Sequence, residues 1–361
     1  NAGLYKAASE HGQELDDLLM INWYIILPVF FITNSLLFIF SWKYYHREER
    51  KALYYPHNNK LELIWTVLPA IALAIIIVFG IRTWNGIMYN KEEGQVIEVY
   101  AYQFGWLVRY AGADNELGEA NYKLVSSTNP LGVITDQSIQ DTYNEIDTKV
   151  SGIDSELKEN RNSNGDLLMP KSKADKKLEE LERLKRRKYR IEAAIDKREA
   201  NKTAYASSDD DIVVQELHLV KGQPYTFIFR SKDVIHCPWL PHFRAQINSV
   251  PGMETSFKLT PTITTEEMRN MPEVQEHYKN INVIHNERKR RIGEEEEKVL
   301  FDYVLLCNKI CGAGHSNMQI KVVVETQEEF ENWIENNGDK KRLTFSGQEV
   351  NWSETKEQAS L

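Results

Sequence analysis

Apolar positions fall into three regimes along the chain. From Trp23 to Trp42, and again from Leu61 to Ile81, they run almost unbroken, with Glu62 the only charge in the second stretch. About 20 apolar residues at 1.5 Å each cross a hydrocarbon core about 30 Å thick. Both stretches therefore predict membrane-spanning helices. Trp23, Trp42, Tyr44, Tyr45, Trp65 and Trp84 stand near the ends, where aromatic belts form. Thr33, Asn34 and Ser35 are expected to face a helical neighbour instead of lipid. The loop 43–60 carries Lys43, Arg47, Arg50, Lys51 and Lys60, whereas Glu14, Asp16 and Asp17 precede the first run. That asymmetry keeps the loop cytoplasmic and places segment 1–20, and everything beyond a hairpin over 21–85, outside. The start at Asn1 instead of Met suggests prior processing.

The second regime, over 95–335, alternates with a period of two. Gln95 to Tyr110, Ile212 to Leu219, Tyr225 to Ser231, Val299 to Leu306 and Gln319 to Thr326 are rich in β-branched and aromatic residues, with turn signals such as Lys221-Gly222-Gln223-Pro224 between them. They predict a β-sandwich with Greek-key connections.

The third regime interrupts the strands. Tyr143, Ile146, Val150, Ile153 and Leu157 follow a 3-4 spacing, and Leu178, Leu181, Leu184, Ile191 and Ile195 form a similar seam broken at Lys188. With the polar turn Glu159 to Ser172 between them, they predict an antiparallel helical hairpin inserted at about 141–204, serving as a spacer or as a docking arm. A second insertion, 264–298, ends in a mixed-charge run and predicts another exposed helix; 336–361 reads as a polar tail.

Composition narrows the function. Of 361 residues, 42% are apolar and 27% charged, with a net charge of −9. That acidity argues against nucleic acid as a partner. Three cysteines cannot build a disulfide framework.

The chemistry is concentrated in Cys307-Asn308-Lys309-Ile310-Cys311-Gly312-Ala313-Gly314-His315-Ser316-Asn317-Met318, with a further imidazole at His236. Thiolates and imidazoles suit copper or zinc, and the thioether favours copper. A mononuclear blue site uses one thiolate, so the second points to two coppers bridged by both sulfurs. A Cys307–Cys311 disulfide leaves His315 and Met318 without a role, and a Cys–His nucleophile leaves one cysteine and the Met unused. Cys-x-x-Cys-His, the haem-attachment sequence, does not occur.

These residues resemble cytochrome c oxidase subunit II. The likeness extends to Leu61-Glu62-Leu63-Ile64-Trp65-Thr66-Val67-Leu68-Pro69, Tyr102-Gln103 with Trp106, Asp233-Val234-Ile235-His236 and Val250-Pro251-Gly252, and leaves the insertions and tail unmatched. The resemblance implies a cupredoxin domain holding the dinuclear CuA centre, with ligands His236, Cys307, the Lys309 carbonyl, Cys311, His315 and Met318. It implies electrons from a cytochrome c, or from a cytochrome c subunit of an associated complex, passed to haem in subunit I. There oxygen is reduced and protons are pumped. The insertions point to a bacterial plasma membrane, with the copper domain periplasmic, over a mitochondrial inner membrane. Glu62 is expected near a proton entrance or snorkelling at the interface, and Phe104 and Trp106 are candidate aromatics for electron input.

Four positions depart from the family pattern. Lys309 replaces a Glu whose side chain binds magnesium, and an ammonium cannot ligate that ion. Phe104 replaces Trp, Met253 replaces Arg, and Cys237 replaces Ser and reads as a buried core thiol. Asp233, Glu254, Glu216 and Asp302 are candidate acids for attracting a basic cytochrome. The alternative functions are a copper-free quinol oxidase subunit II scaffold, against which the complete ligand set argues, and a membrane-anchored copper carrier.

Overall fold

The computed structural model describes residues 5–51, 54–89, 94–112, 114–125, 129–162, 168–200, 208, 211–336 and 343–344. The tail expected over 336–361 lies outside them apart from Asn336 and the pair at 343–344.

Helix α1 spans Glu10–Lys43 and α2 spans Asn59–Met88. Each is long and apolar enough to cross a membrane, and their large hydrophobic side chains point away from protein. Asn58 caps α2 by accepting from the Leu61 amide, at 3.0 Å. Thr33 and Asn34, expected to face a helical neighbour, also bond within α1. Their side chains donate to the Val29 and Phe30 carbonyls at 2.8 Å, so the helix itself satisfies them.

The β-domain is a sandwich of two sheets. One contains β1 (Gln95–Tyr102), β2 (Gly105–Tyr110), β3 (Ile212–Val214), β5 (Tyr225–Ser231), β8 (Thr255–Leu259) and β11 (Leu343–Thr344), in the order β11-β3-β2-β1-β5-β8. The other contains β4 (Leu217–Val220), β6 (Pro238–Leu240), β7 (Ala245–Gln246), β9 (Tyr303–Cys307) and β10 (Gln319–Glu325), in the order β4-β10-β9-β6-β7. The pairs β1–β5 and β4–β10 are parallel and the remainder antiparallel, the cupredoxin-like arrangement. Inward side chains at alternate positions fill the core, among them Ile97, Val99, Trp106, Phe227, Leu305 and Val322.

Two of the expected strands divide. Gln95 to Tyr110 folds back at Gln103-Phe104 into the β1–β2 hairpin, with Tyr102 opposite Gly105. Ile212 to Leu219 breaks after Val214, and its halves enter different sheets. The helical insertion comprises α3 (Asp136–Glu159) and α4 (Lys171–Ala200). A capping box between Thr135 and Ser138 starts α3 ahead of its apolar seam. Ile139, Ile146, Leu184 and Ile191 are buried between the helices, and the break at Lys188 is filled by an ion pair to Asp147. In the second insertion, α5 (Thr265–Arg269) and α6 (Pro272–Ile292) form, and left-handed Gly293 ends α6 inside the mixed-charge run.

Residues preceding α1 are built into the β-domain. The Ala8 amide donates to the His242 carbonyl and the Thr262 amide donates to the Ala8 carbonyl, both at 2.8 Å. Arg244 grips Asp16 of α1 through two 2.9 Å contacts. The last turns of α2 lie against β8. The start of α1 and the end of α2 thus share the domain side, with residues 44–51 and 54–58 at the far end.

On the outer face of the first sheet, Arg109 is 1% exposed; its Nε lies 3.0 Å from Asp211 and its Nη1 3.2 Å from Glu98. Replacing it by Met takes the guanidinium from two buried carboxylates, leaving Glu98 its 3.0 Å ion pair to Arg230 and Asp211 the Gly118 amide at 3.0 Å. Arg109→Met is expected to lower stability by about 3–5 kcal/mol, read as a reduced urea midpoint of the β-domain transition.

Candidate metal centre

The chemistry-bearing loop leaves β9 at Cys307 and re-enters the same sheet at Gln319, the first residue of β10. It is closed at its base by the Cys307 amide, which donates to the Met318 carbonyl at 3.1 Å. Inside it, Cys307 Sγ and Cys311 Sγ stand 3.9 Å apart. A disulfide needs about 2.05 Å, and all three cysteines are free thiols.

His236, 0% exposed, approaches from the loop before β6, its Nδ1 3.9 Å from Cys307 Sγ. His315 Nδ1 lies 3.6 Å from Cys311 Sγ, and Met318 Sδ 3.7 Å from the same sulfur. The Lys309 carbonyl lies 3.2 Å from Cys307 Sγ, while the Lys309 side chain is exposed. All six expected positions therefore converge. The candidate ligand atoms of His236, Cys307 and Cys311 lie within 4.8 Å of one another. Burial, followed by the neighbouring Cys307, pushes the Cys311 thiol up to about 11. Such a pair resists losing both protons unless a cation takes their place. A buried set of two thiols, imidazoles and a thioether suits copper.

Cys237 is 2% exposed, burial raises its pKa, and it lies outside that group. Trp106 is interior, donating to the Met318 carbonyl at 3.4 Å and meeting the His236 ring edge-on at 6.0 Å. Phe104 is 41% exposed and covers the loop's glycines. Glu62 occupies the first turn of α2, at the end remote from the domain.

The acids proposed for attraction are engaged within the fold. Glu254 pairs with Arg230 at 2.7 Å, Asp302 with Arg269 at 2.6 Å, and Glu216 lies 3.5 Å from His218. Asp233 turns inward to His236 Nε2 at 2.9 Å and accepts from the Val234 and Gln103 amides at 2.7 and 2.8 Å. Burial opposes its ionisation, but these hydrogen bonds outweigh burial and hold the carboxyl below its usual range. Gln103 escaped sequence reasoning because its partners lie far along the chain. Asp233 carried a signal, its three-residue spacing from an imidazole.

Residues 1–83 match the family model described as cytochrome c oxidase subunit II, transmembrane domain. The "alternative cytochrome c oxidase subunit 2" of Bradyrhizobium diazoefficiens is 23% identical over 335 residues, covering 92% of this chain and 82% of the relative. The chain is similar to cytochrome c oxidase subunit II proteins along most of its length, and its first 83 residues match the transmembrane domain of that family. The cytochrome c oxidase subunit 2 of Thermostichus vulcanus is 21% identical over 339 residues, covering 92% of this chain and 78% of that protein. A solved periplasmic domain of subunit II of cytochrome oxidase (CoxB) of Bradyrhizobium japonicum is 12% identical, covering 68% of this chain and 94% of that one, with a TM-score of 0.28. The matched segment 1–83 holds α1 and most of α2, the two helices long and apolar enough to cross a membrane.

Close packing at the loop gives a test. A Cβ on Gly314 would lie 2.6 Å from Phe104 Cγ. Gly314→Ala is expected to cost about 1–3 kcal/mol through overpacking, read as a lower thermal midpoint, and adding Phe104→Ala to open the space should recover most of the loss.

Proposed function

We propose that this chain is the electron-input subunit of a cytochrome c oxidase, with a dinuclear CuA centre held by His236, Cys307, Cys311, His315, Met318 and the Lys309 carbonyl. The separation of the two sulfurs carries this reading. Metal–thiolate bonds are about 2.3 Å long, and 3.9 Å is shorter than two of them end to end. Both sulfurs can therefore bond the same ion, and an ion on each side of the sulfur pair fits. An imidazole stands beside each sulfur, which suits a pair better than a single ion.

A copper pair held there would supply one-electron storage without making or breaking bonds. The chain's own residues provide the remainder. Cys307 and Cys311 would release their protons to water and hold the metal as thiolates. His236 and His315 orient Nδ1 toward the sulfurs, and the burial of Cys307, Cys311 and Met318 excludes water. Phe104 is the aromatic available to a donor at the surface, whereas Trp106 lies behind it against the ligands. In this reading, electrons come from a c-type cytochrome and leave to haem in subunit I, where oxygen reduction is coupled to proton pumping. The β-domain faces the periplasm of a bacterial plasma membrane, with the basic loop cytoplasmic, and Glu62 sits at that cytoplasmic end.

Metal analysis of the full chain in its assembled complex is expected to give two coppers per chain, with an EPR signal from one electron shared equally between them. Cys307→Ser and Cys311→Ser should each abolish that signal. One copper per chain points to a mononuclear site and none to a scaffold, and either overturns the proposal.

A further inference from the structure

The turn between β1 and β2 touches both halves of the ligand set. Its Gln103 amide donates to Asp233 Oδ2 at 2.8 Å, and the other oxygen of that carboxylate meets His236 Nε2 at 2.9 Å. Its side-chain Nε2 donates to the Cys311 carbonyl at 2.5 Å. The two ligand loops are otherwise remote, since His236 and Cys311 are 75 positions apart by their numbers. One residue thus reaches the His236 loop through a carboxylate and the cysteine loop directly.

We infer that Gln103 and Asp233 form a bracket that fixes the spacing and orientation of the two ligand loops before metal arrives. This rests on the copper reading only for its metal-bound consequences. Asp233 accepts at Nε2, so that nitrogen carries the proton and Nδ1, facing Cys307, presents its lone pair. A carboxylate behind a ligating imidazole fixes the tautomer and ring orientation. Gln103 in turn holds that carboxylate and pins the carbonyl of Cys311, so neither loop can drift without breaking a contact to the same residue. Both are positioning residues acting through His236 and Cys311.

The test uses the full chain in its assembled form and two readouts. In metal-free protein carrying 15N-labelled histidine, His236 is expected to show the Nε2–H tautomer, and Asp233→Ala should lose that preference. In copper-loaded protein, Asp233→Ala is expected to raise the rate of copper loss to a cuprous chelator about tenfold or more, within the range for outer-shell partners of metal ligands, and to perturb the EPR hyperfine pattern. Gln103→Ala should act in the same direction. If the bracket is one unit, the double variant loses copper more slowly than the product of the two single effects requires.

Should Asp233→Ala prevent folding, Asp233→Asn supplies the tautomer readout by replacing the carboxylate at His236 Nε2, and Gln103→Ala, which keeps the amide bond to Asp233 and removes only the side-chain bond to the Cys311 carbonyl, supplies the chelator readout. An unchanged tautomer together with unchanged chelator kinetics in the folded variants overturns the bracket. Multiplicative single effects overturn it as a unit. Wild-type protein that binds fewer than two coppers yet shows the Asp233-dependent tautomer overturns the dinuclear reading and leaves the bracket standing.

Discussion

Two thiols enclosed side by side in a protein interior impose the constraint from which the rest of the site follows. Burial and the neighbouring sulfur favour the neutral form of Cys311, and ionising both thiols without a cation sets two negative charges against each other in a poorly solvated place. The fold must therefore hold the sulfurs close, keep water from them and bring neutral nitrogen donors to either side. Packing of the β9–β10 loop under Phe104, with Trp106 behind it, does the first two. His236 and His315 do the third.

Much of this architecture was legible in the chain because its signals are local. Two long uncharged runs can only be membrane helices or deeply buried ones, and the exposed side chains of α1 and α2 fit the former. Period-two alternation marked β5, β9 and β10. It failed at Gln95 to Tyr110, where alternation continues on both sides of a two-residue turn and nothing in the apolar pattern registers the reversal. The short strands β6, β7 and β8 also escaped. They are only two to five residues long, too short for alternation to be recognised, and are stabilised by pairing with β5, β9 and each other.

The candidate ligands were legible for a similar reason, since Cys307, Cys311, His315 and Met318 occupy one short loop whose spacing is itself the signal. His236 stood out by its chemistry and by resemblance. The contacts that orient these groups were not visible. Gln103 reaches Cys311 across 208 positions and Asp233 across 130, distances over which an unaligned sequence carries no pairing information. Asp233 shows a related cause: an aspartate in a polar loop looks wholly solvated until the fold shows what its carboxylate accepts.

Ala8 is threaded between the His242 carbonyl and the Thr262 amide and is wholly enclosed. The β-domain therefore borrows a backbone segment from the opposite end of the membrane hairpin. A water-soluble fragment cut after α2 would present two orphaned polar groups and an open apolar slot where that segment belongs. Seating that segment in its slot places both hairpin termini in one compartment.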